Sequence, residues 1–163
     1  MDELARLLSF ERRLLELLLF KLVEGRHLLV AGEARFLPYA AAEIERATER
    51  VHEVELRRSM LVSDPRLSAL ARDTVEPYRT IFSDHRLAFL ELAAEIEDVS
   101  LQNRRLAVRG ADDVEALLAM VGAVGDVDIA ETVIGLQMDE SAYQAVLGAV
   151  SSLSMPSLRD FLR

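Results

Sequence analysis

The sequence predicts an all-α protein: an antiparallel long-helix, coiled-coil-like bundle of three main helices, with short helices and a C-terminal amphipathic helix. Three observations carry this. Ala, Leu, Glu, Arg and Lys supply 85 of the 163 residues, a composition typical of long helices and coiled coils. Leu8, Leu15, Leu22 and Leu29 recur at seven-residue steps, the period of a packed helical stripe. With 7 Gly, 4 Pro, 6 Phe, 3 Tyr and no Trp, the chain is poor in the turn formers and aromatics that a many-stranded sandwich or barrel uses.

The first helix is expected over about 3–30, where Leu4, Leu7, Leu14, Leu18 and Leu28 widen the leucine stripe beyond one neighbour's width. Gly32 ends it, and the short turn that follows forces an antiparallel partner. That partner carries Leu37, Ala40, Ile44, Ala47, Val51, Val54 and Leu61 at three- and four-residue spacings, with Pro38 in its first turn. Ser63-Asp64-Pro65 reads as a cap with proline at the first helical position, starting a short segment that ends near Val75. After Pro77 a third long helix runs from Tyr78 to about Arg109, interleaving Phe82, Phe89 and Ile96 with His85, Leu92, Val99 and Leu106. Gly110 is expected to loosen it, Asp112 and Asp113 to act as cap and first-turn acids, and Val114–Val121 to form a separate short helix.

Composition then changes. Residues 123–163 hold only 2 of the 19 basic side chains but 3 of the 7 glycines, so the chain is divided into 1–122 and 123–163, with the junction near 121–126. In the second part Ile129, Val133, Leu136, Tyr143, Leu147 and Val150 share a helical face, Pro156 stops that helix, and Leu158, Phe161 and Leu162 form a closing apolar cluster.

The formal charge is −9, from 28 acidic and 19 basic side chains. A nucleic-acid binder needs a concentrated basic face, and none is seen. The absence of Cys removes disulfides, thiolate metal sites and thiol nucleophiles together. No secretory signal is read at Met1-Asp2-Glu3, and the uncharged run Ser141–Leu158 is too polar and broken to span a bilayer. A cytoplasmic protein without membrane insertion is the expectation.

Little catalytic chemistry can be assembled. Glu24-Gly25-Arg26-His27 and Glu49-Arg50-Val51-His52 are the Glu-x-x-His pairs from which helical bundles build di-iron sites. Hairpin pairing about the turn near residue 33, however, separates the two histidines by about 18 Å. His85 falls on an apolar face and reads as a packed histidine; Glu53 and Arg57 read as a solvated i,i+4 pair. No phosphate loop, nucleophile elbow or metalloprotease motif occurs, so neither an enzyme nor a cofactor is expected. Asn103 stands at a seam position in the series Phe82, Phe89, Ile96, Asn103. A buried Asn there fixes register; a partly exposed residue near a helix end is the equal alternative.

Residues from about Leu4 to Val121 resemble the FlgN-like flagellar export chaperones, through the leucine-rich first helix, the Glu55-Leu56-Arg57-Arg58 stretch and Leu101-Gln102-Asn103-Arg104-Arg105-Leu106. Asp126–Glu131, Ala142–Leu147 and Pro156–Leu162 resemble, in order, the C-terminal segment of flagellin-type proteins, closest to the hook-filament junction protein FlgL, although Arg159 departs from the apolar or neutral residue expected there. The resemblance implies a chaperone joined to the end of its own cargo, as an engineered fusion or as a natural chaperone with a cargo-like helix. Such chaperones keep hook-associated proteins soluble and deliver them to the flagellar type III export apparatus. The implied chaperone groove comprises Ile96, Val99, Asn103, Leu106, Leu117, Leu118 and Val121. The cargo anchors are Ile129, Val133, Leu136, Tyr143, Leu147, Val150, Leu158, Phe161 and Leu162. A generic helical adaptor or regulator is the alternative and a helical metalloenzyme a distant third. The four-residue link Gly122–Gly125 spans roughly 14 Å at most, short enough to favour a swapped homodimer.

Overall fold

A computed structural model describes residues 1–62, 66–122 and 129–153, apart from the side chain of Ile129. Among these residues the chain is all-α: α1 (Asp2–Ala31), a 3-10 turn (Ala34–Phe36), α2 (Leu37–Leu61), α3 (Leu67–Asp73), α4 (Tyr78–Gly122) and α5 (Ile129–Ser151). No described helix is long and apolar enough to cross a membrane. The Ser63-Asp64-Pro65 cap, the 123–126 part of the junction and Pro156 lie outside the described residues.

The end of α1 follows from one glycine. Gly32 adopts φ +68°, its N–H donates to the Leu29 carbonyl, and the Glu33 N–H donates to the Leu28 carbonyl at 3.0 Å. These are the two bonds that close a helix through a left-handed residue. The third long helix corrects the reading of its end: α4 is continuous for 45 residues, so Gly110 neither loosens nor ends it and Asp112 and Asp113 cap nothing. Glycine costs a helix only about 1 kcal/mol relative to Ala, and packing at Gly110, described below, requires the missing side chain.

The chain forms two compact units; the described parts of the first are 1–20, 46–62 and 66–98, and of the second 21–45, 99–122 and 129–153. In the first unit Leu4, Leu8, Leu15 and Leu18 of α1, Val51 and Val54 of α2, Leu67 of α3, and Phe82, Phe89 and Ile96 of α4 are buried. The Tyr78 hydroxyl donates to Asp2, and Ser9 bonds His85 Nε2 at 3.3 Å. Both pairs lie 76 residues apart, so α1 and α4 run parallel here. One position breaks the leucine seam of α1. Glu11 is fully buried and accepts a hydrogen bond from the buried guanidinium of Arg58 on α2. Burial pushes its carboxyl above the usual range, and Arg58 pulls it part of the way back.

In the second unit Leu22, Leu29, Leu37, Ile44, Val99, Ala107 and Val114 form the core. Arg26 donates to Gln102 at 3.0 Å, again across 76 residues. Lys21, the only lysine of the chain, places its ammonium 2.7 Å from both Glu24 and Glu43. Asn103 is fully buried and donates from Nδ2 to the Leu22 carbonyl at 2.8 Å, so it is a buried seam residue and not a partly exposed one.

Two predictions follow from the first unit. Removing one partner of a buried ion pair leaves an uncompensated charge, so Arg58→Met should cost about 3–5 kcal/mol, whereas joining it to Glu11→Leu should recover most of that loss; chemical denaturation of the three proteins measures it. The second concerns pH. Burial, and then the Arg12 charge, lower the His85 pKa from 6.5 against the opposing pull of Asp84. The stability this contributes is present above the unfolded value and is lost as pH falls through the lowered one. Glu11 acts oppositely: its raised pKa contributes stability that is complete below 4.5 and lost as pH rises through the folded value. His85→Leu should therefore lose less stability than the wild type, or gain some, between about pH 7 and about pH 5. Equal responses would show that His85 titrates normally in the fold.

Candidate helix-binding site

Tyr143 stands opposite the one glycine of α4 that has a helix against it. A Cβ built on Gly110 would strike the Tyr143 ring at Cε1, Cζ and Cδ1, so the ring of α5 rests where a side chain of α4 would be. Burial, with Asp139 and Asp113 reinforcing it, raises the Tyr143 hydroxyl pKa from its ordinary 10. On a second side α5 packs on the 3-10 turn, whose Ala34 is buried.

The buried face of α5 is made of small side chains. Ala142, Val146, Ala149 and Val150 are buried, whereas Val133, Leu136, Tyr143 and Leu147 are half-buried. The stripe of large apolar residues is thus the flank of the packed face rather than its centre. Small residues let helix axes approach closely, which a search for large apolar side chains passes over. The signals were present as Ala142, Val146 and Ala149 at four- and three-residue spacing, and as a lone glycine in a helical pattern.

The residues read as a groove are divided in their placement. Ile96, Val99 and Asn103 are buried in the chain's own core; Leu106, Leu118 and Val121 are half-buried; Leu117 is exposed. Of the cargo anchors, Ile129 opens α5 and Val150 is buried. Leu158, Phe161 and Leu162 lie outside the described residues, as do the segments 126–128 and 156–162 that carry part of the family resemblance.

Elsewhere in the second unit, Gly25 of α1 faces Asn103. A Cβ there would meet Asn103 Nδ2 at 3.8 Å and Ile44 Cδ1 at 3.5 Å, ordinary contact distances. Among the described residues no group of three or more His, Cys, Asp or Glu could hold a metal. His27 is exposed, and exposed His52 lies 3.6 Å from Glu55.

No protein-family model matches the chain, and neither a curated protein nor a solved structure matches it.

The two glycines give opposite expectations for one substitution. Gly25→Ala should stabilise by up to about 1 kcal/mol, through helix propensity alone. Gly110→Ala should destabilise, because the Tyr143 ring must move; in a Tyr143→Ala background the same change should turn stabilising. Thermal unfolding of the four variants tests the pairing, and equal effects of Gly110→Ala in both backgrounds would dissolve it.

Proposed function

We propose that the chain is a FlgN-like flagellar export chaperone carrying a cargo-like C-terminal helix, which binds the C-terminal amphipathic helix of hook-associated or junction proteins and delivers them to the export apparatus. One observation supports this above the rest: a helix-binding seat already holds a helix, α5, through Gly110, the 3-10 turn and a face of small side chains. An amphipathic helix in an apolar groove is a common mode of partner recognition. In this reading α1, α2 and α4 form an antiparallel three-helix bundle as the chaperone part, 1–122, and 123–163 is the cargo part.

The cargo groove follows the outer surface of α4 from Gly110 through Leu106, Leu117, Leu118 and Val121, with Ile96, Val99 and Asn103 setting the helix that bears it. Ile129, Val133, Leu136, Tyr143, Leu147, Val150, Leu158, Phe161 and Leu162 are the cargo anchors. The protein acts in the cytoplasm, without cofactor, catalysis or nucleic acid.

The test is titration of the intact chain, and of Tyr143→Asp, with a C-terminal fragment of a hook-filament junction protein. If α5 fills the cargo seat, unseating it should tighten fragment binding by at least about tenfold, or 1.4 kcal/mol. Absence of binding by both forms would remove the chaperone reading and leave a helical adaptor.

A further inference from the structure

The first unit carries an open groove of its own, about 480 Å³ in volume, between the first turns of α1 and the last turns of α2. Its floor is apolar, from Leu7 and Phe10 on one side and Met60 and Leu61 on the other. Phe10, Met60 and Leu61 are 43%, 74% and 45% exposed. Arg6 and Arg57 stand at its rim, one on each helix. Arg6 Nε donates to the Asp2 carbonyl at 3.3 Å, and neither arginine forms a salt bridge among the described residues. The third charged lining group, Glu3, lies in the first turn of α1, where the helix N-terminus already favours an anion. A chain of net charge −9 therefore presents here an apolar trough with two available cations.

The complementary surface belongs to the same sequence. On α5, Glu131, Ile134 and Met138 follow one another by three and four residues and share a helix face. All three are exposed, Ile134 and Met138 by 58% and 68%, in the first half of α5, ahead of the buried Ala142, Val146 and Ala149. Spacing as well as charge agrees. On α2, Arg57 precedes Met60 and Leu61 by three and four residues, and on α5, Glu131 precedes Ile134 by three, so about one helical turn, ~5.4 Å, separates charge from apolar anchor on both surfaces.

We propose that the α1–α2 groove is a self-association site that takes the exposed first half of α5 from a second copy of the chain, with Ile134 and Met138 in the trough and Glu131 against Arg57 and Arg6. Groove and knob are different patches. The contact is thus made twice, reciprocally, in a two-fold dimer, or is repeated head to tail in an open chain. Each contact is small, which makes the association weak and dependent on concentration. It is separate from the cargo seat and independent of the chaperone reading.

Sedimentation equilibrium of the intact protein from micromolar to millimolar concentration is the measurement, with circular dichroism to verify that each variant is folded. The wild type should pass from monomer to dimer or higher species. Met60→Asp and Ile134→Asp should each weaken this by roughly tenfold or more, as expected for loss of a buried apolar anchor. Arg57→Glu and Glu131→Arg should each weaken it, and an equimolar mixture of the two should associate again, because one contact in the mixed pair is native and the other is charge-reversed. A wild type that stays monomeric at millimolar concentration overturns the proposal. So does self-association indifferent to Met60→Asp and Ile134→Asp, or a charge-reversed mixture no more associated than its components.

Discussion

On α1 the buried seam runs Leu4, Leu8, Glu11, Leu15, Leu18, Leu22, Gly25, Leu29, alternating steps of four and three. Such a seam by itself is indifferent to sliding by one heptad, since a leucine displaced by seven residues meets another leucine. What removes that freedom is the pair of positions that are not apolar. Glu11 finds Arg58 of α2 in the first unit. Gly25 leaves room beside Asn103 of α4 in the second, whose amide donates to Leu22. A slip of one heptad would bury Glu11 and Arg58 apart, a loss of about 3–5 kcal/mol, and in one direction would set Leu18 in the place of Gly25 beside Asn103. The same logic recurs where Gly110 meets Tyr143. Every departure from the apolar seam is thus answered on a facing helix.

These departures mark where the sequence could be read and where it could not. Apolar periodicity located α1, α2 and the start of α4 almost to the residue, because an apolar stripe has one geometric meaning once the period is known. Asn103 stood out as a single polar residue in an apolar series, but its burial and its exposure were equally compatible with that pattern. Gly110 was misread: a glycine between charged residues looks identical whether it ends a helix or admits an aromatic ring from elsewhere, and only the partner distinguishes the two. The packed face of α5 was hidden similarly. Ala142 and Ala149 contribute little transfer free energy, so a pattern weighted by size directs attention to Leu136 and Leu147, which flank the contact. Glu11 and Arg58 went unnoticed because 47 residues separate them and each, alone, resembles any surface charge of a helix.

The way α5 is held has an energetic side. A face of Ala and Val side chains gains less from burial than one of Leu and Phe, so its affinity rests on close backbone approach and on one aromatic fitted over a glycine. Packing of that sort is demanding in shape and modest in energy. The large apolar residues left outside the contact, Ile134 and Met138, are then available to other surfaces.

The lone lysine carries a consequence of a chemical kind. With 18 arginines and a single lysine, the chain has nearly relinquished side-chain amines while keeping its cationic charge. Hydrogen bonds from Lys21 to Glu24 and Glu43 raise its pKa above the ordinary 10.5, so the neutral, nucleophilic amine is scarcer than on an ordinary surface lysine. Acylating reagents, aldehydes and lysine-directed crosslinkers consequently find one side-chain target, and a guarded one, whose reactivity reports on the hairpin between α1 and α2, because Glu43 is the partner that α2 supplies.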